Sequence, residues 1–271
     1  FKQKTAYEIK ECDWSSDVCS SDLWLIFAVV GSIAQLVDGS LGMGFGLTSS
    51  TLLVTIGASA AVASAAVHVA EIGTTLASGL SHWHAENVDK KVMLRLAIPG
   101  SIGAFLGANF LSNIDLSKSK IFISTILLLL GFVLLYRNIF KSENVNLVEI
   151  NNPNFLTFLG FSGGFIDASG GGGWGPVVTP TIISTTSTEP RKVIGTVSAS
   201  EFCVALAASL GFLINFDKID LDWSTVGGLA LGGMLAAPIA AKFVAKLHPK
   251  HLGIIVGIAI ITVNAVNVIR A

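Results

Sequence analysis

The sequence predicts an all-α polytopic membrane protein made of two inverted repeats, each a broken re-entrant hairpin plus three transmembrane helices. Three observations predict it. Of the 271 residues, 52% are hydrophobic and 13% charged, against about 25% charged in soluble domains. A mean hydropathy of +0.71 leaves too few polar residues to coat a soluble core of this size. Second, one glycine-rich segment occurs twice. Gly31–Gly46 and Gly160–Gly175 match at Gly31/Gly160, Asp38/Asp167, Ser40/Ser169, Gly42/Gly171, Gly44/Gly173 and Gly46/Gly175, with Phe45 opposite Trp174. Third, lysine and arginine segregate to alternate connections between apolar runs. The net charge of −1 excludes a nucleic-acid binder, which would carry a basic patch. Cys12, Cys19 and Cys203 have neither disulfide nor zinc spacing.

Residues 1–22 are polar and aperiodic, and Asp13–Leu23 resembles translated sequencing-adaptor sequence. This segment is expected to be non-native and disordered, with the true N-terminus missing. Element 1, about Leu23–Val37, should stop at Asp38 and the glycines. Element 2, about Leu47–Ile56, covers about half of a 30 Å hydrocarbon core. Element 3 spans about Ala60–Trp83, with Ser59 as its N-cap. Element 4, about Val92–Leu111, carries Gly103 and Gly107 at the spacing that lets helices approach closely. Element 5 is about Ile121–Tyr136. A polar linker at 137–154 separates the repeats, 23–136 and 155–271. Element 6, Phe155–Ile166, again ends at an aspartate and glycines. Element 7, about Val177–Ser184, is short. Element 8 starts at Pro190, a favoured first-turn position, and runs to about Leu213. Elements 9 and 10 are about Trp223–Leu247 and Pro249–Ile269, and Gly232 and Ala236 stand where element 4 has Gly103 and Gly107.

Charge fixes the parity. Lys90, Lys91, Arg95, Arg137, Lys141, Arg191, Lys192, Lys242, Lys246 and Lys250 all fall at odd-to-even connections. Strict alternation puts them on one side, which the positive-inside rule makes cytoplasmic. The linker is then cytoplasmic and both termini external. A single broken crossing for elements 1 and 2, and for 6 and 7, would split these charges evenly. Two half-elements that dip in and return leave three full crossings per repeat, an odd number, so the repeats are inverted.

Irregular backbone at membrane depth is tolerated only where protein or a water-filled cavity surrounds it. Each break precedes a short helix whose first N–H groups attract anions. Gly42, Gly44 and Gly46, with Gly171, Gly173 and Gly175, are therefore candidates to line one substrate site near the midplane, with hydroxyls from Thr48, Ser49 and Ser50 on one side and Thr179 and Thr181 on the other. Asp38 and Asp167 are read either as protonatable coupling groups or as acceptors that lock the neighbouring backbone N–H groups. Glu71 and Glu201 are also repeat-related, and His68 shares a helix face with Glu71; a proton relay and a satisfied polar cluster both fit, with the carboxylates facing the interior. His82, Trp83 and His84 read as an interfacial belt, not metal ligands. No metal or cofactor is expected.

The duplicated Asp-x-x-x-Gly-x-Gly-x-Gly pattern, Gly79-Leu80-Ser81-His82-Trp83, Asn87-Val88-Asp89 and Pro99-Gly100-x-x-Gly103-x-x-x-Gly107 resemble the sulfite exporter TauE/SafE family, also called the 4-toluene sulfonate uptake permease family. The resemblance covers about Leu23 to Arg270. Leu41 and Met43 depart from it, standing where more glycine is expected. It implies an inner-membrane secondary transporter of sulfur-containing or small organic anions such as sulfite or sulfonates. The expected partners are a small anion and the lipid bilayer, with a homo-oligomer possible and no nucleic acid. An intramembrane enzyme using Ser40 or Ser169 with a histidine is the rival, but the second repeat offers Ser169 no histidine before His248. A non-transporting assembly subunit is the other alternative.

Overall fold

The computed structural model describes residues 17–41, 43–114, 116–139, 152–186, 188–215, 221–243 and 249–269. These form α1 (Asp17–Leu41), α2 (Phe45–Thr55), α3 (Ala60–His84), α4 (Lys90–Ser112), α5 (Leu116–Ile139), α6 (Pro153–Gly170), α7 (Trp174–Thr185), α8 (Pro190–Leu213), α9 (Trp223–Phe243) and α10 (Pro249–Ile269). No strand occurs among the described residues. By length and composition α3, α4 and the Lys192–Leu213 part of α8 can cross a membrane, and five other helices carry shorter apolar stretches. Ser59 caps α3 by accepting from Val62 N–H at 3.3 Å. Asp89 caps α4, and Pro190 opens α8 as its composition demands.

The structure corrects the sequence reading in three places. Residues 17–22 belong to α1, where disorder was expected. Helix extension from an existing turn is cheap, and the polar, acidic run Asp17–Asp22 suits a helix N-terminus; residues 1–16 lie outside the described residues. Asp38 and Asp167 do not end their helices, which continue to Leu41 and Gly170. α6 stops instead where Gly171 turns left-handed at φ 71°, a termination that glycine allows without a Cβ penalty. Finally, α1 and α6, at 25 and 18 residues, are about 37 and 27 Å long at 1.5 Å per residue, more than half-spans. The short arms are α2 and α7, at 11 and 12 residues.

Close packing rests on small residues. A Cβ at Gly103 of α4 would strike the Phe161 backbone of α6, and one at its repeat twin Gly232 of α9 would strike Ala28 of α1. The α4–α6 and α1–α9 contacts, the most extensive in the molecule, are thus the same contact with the repeats exchanged. Repeat-equivalent helices also pack on each other, in opposite directions. Late α3 meets early α8 at Gly79 and Ala199, whereas early α3 meets late α8 at His68 and Phe212, with ring centroids 6.0 Å apart. Gly131 of α5 packs on Ile260 of α10, and Gly257 of α10 on Leu135 of α5. On α2, Thr51 and Thr55 accept hydrogen bonds from Asn264 and Asn267 of α10 at 3.1 and 3.3 Å.

Candidate functional site

The two breaks touch. A Cβ built on Gly46 would lie within 3.0 Å of Gly172, and one on Gly172 within 3.0 Å of the Gly46 and Leu47 backbone. Ser50 Oγ donates to the Gly171 carbonyl across the same contact. Positive φ is found at Gly44 (143°), Gly171 (71°) and Gly172 (139°). Gly173, at φ −117°, caps α7 in an ordinary conformation, so it is not among the glycines that backbone strain requires. Gly175 is buried in the first turn of α7. Gly42 lies outside the described residues.

Asp167, 2% exposed, stands in the last turn of α6 and reaches over the break. Its Oδ1 accepts from the backbone N–H groups of Gly173 at 2.7 Å and Trp174 at 2.9 Å. The carboxylate thereby caps α7, satisfying two of its orphan donors and meeting its dipole. Asp38 does the same across the first break, accepting from Phe45 N–H at the start of α2. These N–H groups, read from the sequence as donors for a ligand, are held by the chain's own aspartates.

The other Asp167 oxygen, Oδ2, lies 3.1 Å from His68 Nε2, and His68 Nδ1 lies 2.7 Å from the Ser64 carbonyl. The Ser64 carbonyl only accepts, so Nδ1 carries a proton, and with Asp167 ionised Nε2 donates as well and the ring is an imidazolium. This fully buried pair joins α3 of one repeat to α6 of the other, reinforced by Ser64 Oγ donating to the Ala168 carbonyl at 2.6 Å. His68 therefore serves Asp167, in addition to sharing a face with Glu71. Ligand atoms of His68, Glu71 and Asp167 all lie within 4.8 Å of one another. A metal there would have to displace bonds that already engage both histidine nitrogens and both Asp167 oxygens. Ser169, the nucleophile of the enzyme reading, donates back to the Phe165 carbonyl at 2.6 Å.

Asp38, Glu71 and Glu201 line a narrow polar cavity together with Gln35, Phe45, Thr74, Thr75, Ser78 and Ser198; it has room for about one water molecule. Both glutamates face this interior space. Glu71 is 2% exposed and its Oε2 has no hydrogen-bond partner; the same holds for Oε1 of Gln35, 4% exposed. Two further buried oxygens without a partner are the hydroxyls of Thr48 and Ser49 on α2. Thr179 is fully buried in α7. At the other end of α3, the Lys90 ammonium sits 4.6 Å over the Trp83 ring.

Ser50, expected from the sequence as a hydroxyl at the break, is at that contact, whereas Gln35 and Ser198 were given no role by the sequence. Gln35 lies three residues before Asp38, and Ser198 three before Glu201, spacing that puts each pair on one helix face. Trp174 is wholly buried against Gly100 and Gly163, and its indole N–H donates to the Val197 carbonyl at 3.2 Å; its alignment with Phe45 was the available signal.

A family model described as sulfite exporter TauE/SafE matches residues 27–266. The probable membrane transporter protein YtnM of Bacillus subtilis (strain 168) is 50% identical over 249 residues, covering 91% of this chain and 83% of that protein. The probable membrane transporter protein YdhB of the same organism is 24% identical over 232 residues, covering 83% and 90%.

Proposed function

The chain belongs to the sulfite exporter TauE/SafE family, and we propose that it is a secondary transporter of sulfur-containing or small organic anions across the inner membrane. Membership makes it a membrane protein related to transporters; the substrate class and mechanism are our reading. The observation that carries it is the buried meeting of two irregular, glycine-built breaks, one from each repeat. Such backbone persists at membrane depth where it is buried in protein or lines a water-filled cavity, and transporters place paired breaks of this kind at their binding sites. With the N–H groups of Phe45, Gly173 and Trp174 held by Asp38 and Asp167, the unpartnered hydroxyls of Thr48 and Ser49 are donors available to an anion. The site is assigned to Gly44, Gly46, Thr48, Ser49, Gly171, Gly173, Gly175 and Thr179, with Gly42 on sequence grounds.

The membrane arrangement proposed is the inverted repeat. Antiparallel packing of α3 on α8 and of α5 on α10 is what two copies of opposite orientation produce. The cytoplasmic side is assigned to the face rich in lysine and arginine, with external termini. In sealed vesicles, labelled sulfite, thiosulfate, sulfonates and small carboxylates should show saturable protein-dependent uptake or efflux for at least one anion. Cysteines placed at Glu86 and Asn215 should label from opposite faces of the same vesicles. Flux no greater than in empty vesicles for the whole panel would overturn the transport reading; labelling from one face would overturn the inverted repeat.

A further inference from the structure

The duplicated site is not symmetric, and the asymmetry lies in charge. In one copy, Asp167 of α6 pairs with His68 of α3, beside Glu71. Glu71 and Glu201 are repeat twins, and three residues earlier His68 corresponds to Ser198. The second copy thus brings together Asp38 of α1 with Ser198 and Glu201 of α8. Where the first copy has an imidazole ring, the second has a serine and a small cavity.

With its carboxylates ionised, charge does not balance there. His68 offsets Asp167. The groups facing the cavity or its rim from the packed elements are Asp38 from α1, His68 and Glu71 from α3, Asp167 from α6 and Glu201 from α8, and the carboxylates lie close enough to repel. Three of the four have no cation of their own. Glu71 Oε2 and Gln35 Oε1 are buried, lack partners and line this space. Gln35 Oε1 is an acceptor and so is Glu71 Oε2 in the ionised carboxylate, so a hydrogen-bond donor or a cation is what they then require.

We propose that this cavity binds one small monovalent cation of the size of Na⁺, which supplies to the Asp38 copy the single charge that the imidazolium supplies to the Asp167 copy. The donor set is all oxygen, carboxylate, amide carbonyl and hydroxyl, the chemistry of a hard cation. Space for about one water fits a bare Na⁺. Mg²⁺ demands an octahedral shell and retains several waters, for which there is no room. If the transport reading above holds, the cation is a coupling ion, carried with the anion and lowering the cost of bringing negative charge into an acidic interior.

The test is thermal unfolding of the purified, detergent-solubilised full chain in NaCl against choline chloride, at equal ionic strength and constant pH. Saturating Na⁺ should raise the midpoint by on the order of 5 °C. Glu201→Gln should abolish the rise. Ser198→His, which returns the imidazole to the cavity, should also abolish it while unfolding in choline no earlier than the wild type. Equal midpoints in Na⁺ and choline would overturn the proposal, as would a rise that lowering the pH in choline reproduces with no effect of Na⁺, or a rise given by Mg²⁺ alone. A Na⁺ response that survives in Glu201→Gln would overturn the assigned position. The readout is independent of flux: anion transport without a Na⁺ response defeats this proposal alone, and a Na⁺ response without anion transport defeats the transport reading alone.

Discussion

Replacing Asp167 with alanine should nearly abolish accumulation of folded protein in the membrane. The substitution strips a partner from three groups at once: the His68 imidazolium and the N–H groups of Gly173 and Trp174. Breaking a buried ion pair from one side costs about 3–5 kcal/mol, and each orphaned buried donor adds about 1–3 kcal/mol. Total stabilities of about 5–15 kcal/mol leave little after that loss. Asp167→Asn should be far milder. Its amide oxygen can still accept from the α7 N–H groups. Its NH₂ can donate to Nε2 of a neutral His68 that keeps its proton on Nδ1 for the Ser64 carbonyl. Folded protein eluting as a single species in size-exclusion chromatography is the measure. Comparable yields for the alanine and asparagine variants would show that the lock does not hold the fold.

The second large effect is expected at the contact of the two breaks. Gly172→Ala combines a backbone at φ 139° with a Cβ inside 3.0 Å of Gly46 and Leu47 main-chain atoms. Residues held in such φ regions cost about 1–3 kcal/mol, and here the obstacle is backbone, which cannot swing aside as a side chain would. Gly46→Ala meets Gly172 in the same way, together with the Glu71 carboxylate. Either change should separate the breaks and cut transport per inserted molecule by at least about tenfold, roughly 1.4 kcal/mol of misplacement. Gly57→Ala is the control for strain alone, since φ is 104° there with nothing within 4 Å of the added methyl. Flux normalised to inserted protein should fall for Gly46→Ala and Gly172→Ala and hold for Gly57→Ala. Equal flux for all would make the break contact irrelevant to transport.

Helix number, order and most boundaries could be read from the chain because apolar runs, caps and prolines act locally. Ser59 and Pro190 mark their helix starts through their own backbone neighbours. Internal duplication exposed both breaks. The helix ends were less legible. A single glycine only weakens a helix, by about 1 kcal/mol relative to alanine, so nothing local distinguished a stop at Asp167 from a stop at Gly170. The pairing of His68 with Asp167 spans 99 residues and follows from packing α3 against α6, which no local pattern encodes. The aspartates could be read as locks because the motif supplies backbone N–H groups just downstream. That the same lock occupies the Phe45, Gly173 and Trp174 N–H groups emerges only with the geometry, and it moves the proposed anion site toward the α2 hydroxyls.

Ser49 gives the most direct test that the breaks form an anion site instead of a packing contact. Its hydroxyl is fully buried and has no hydrogen-bond partner, so Ser49→Ala removes nothing the fold uses, and its unfolding midpoint should equal or exceed that of the wild type. A hydrogen bond to a charged ligand is worth about 1.5–3 kcal/mol. Loss of one bond should therefore raise the KM for the transported anion by about 10- to 150-fold, in vesicles matched for inserted protein. A KM and maximal flux unchanged from wild type in Ser49→Ala, and equally in Thr48→Val, would contradict the account.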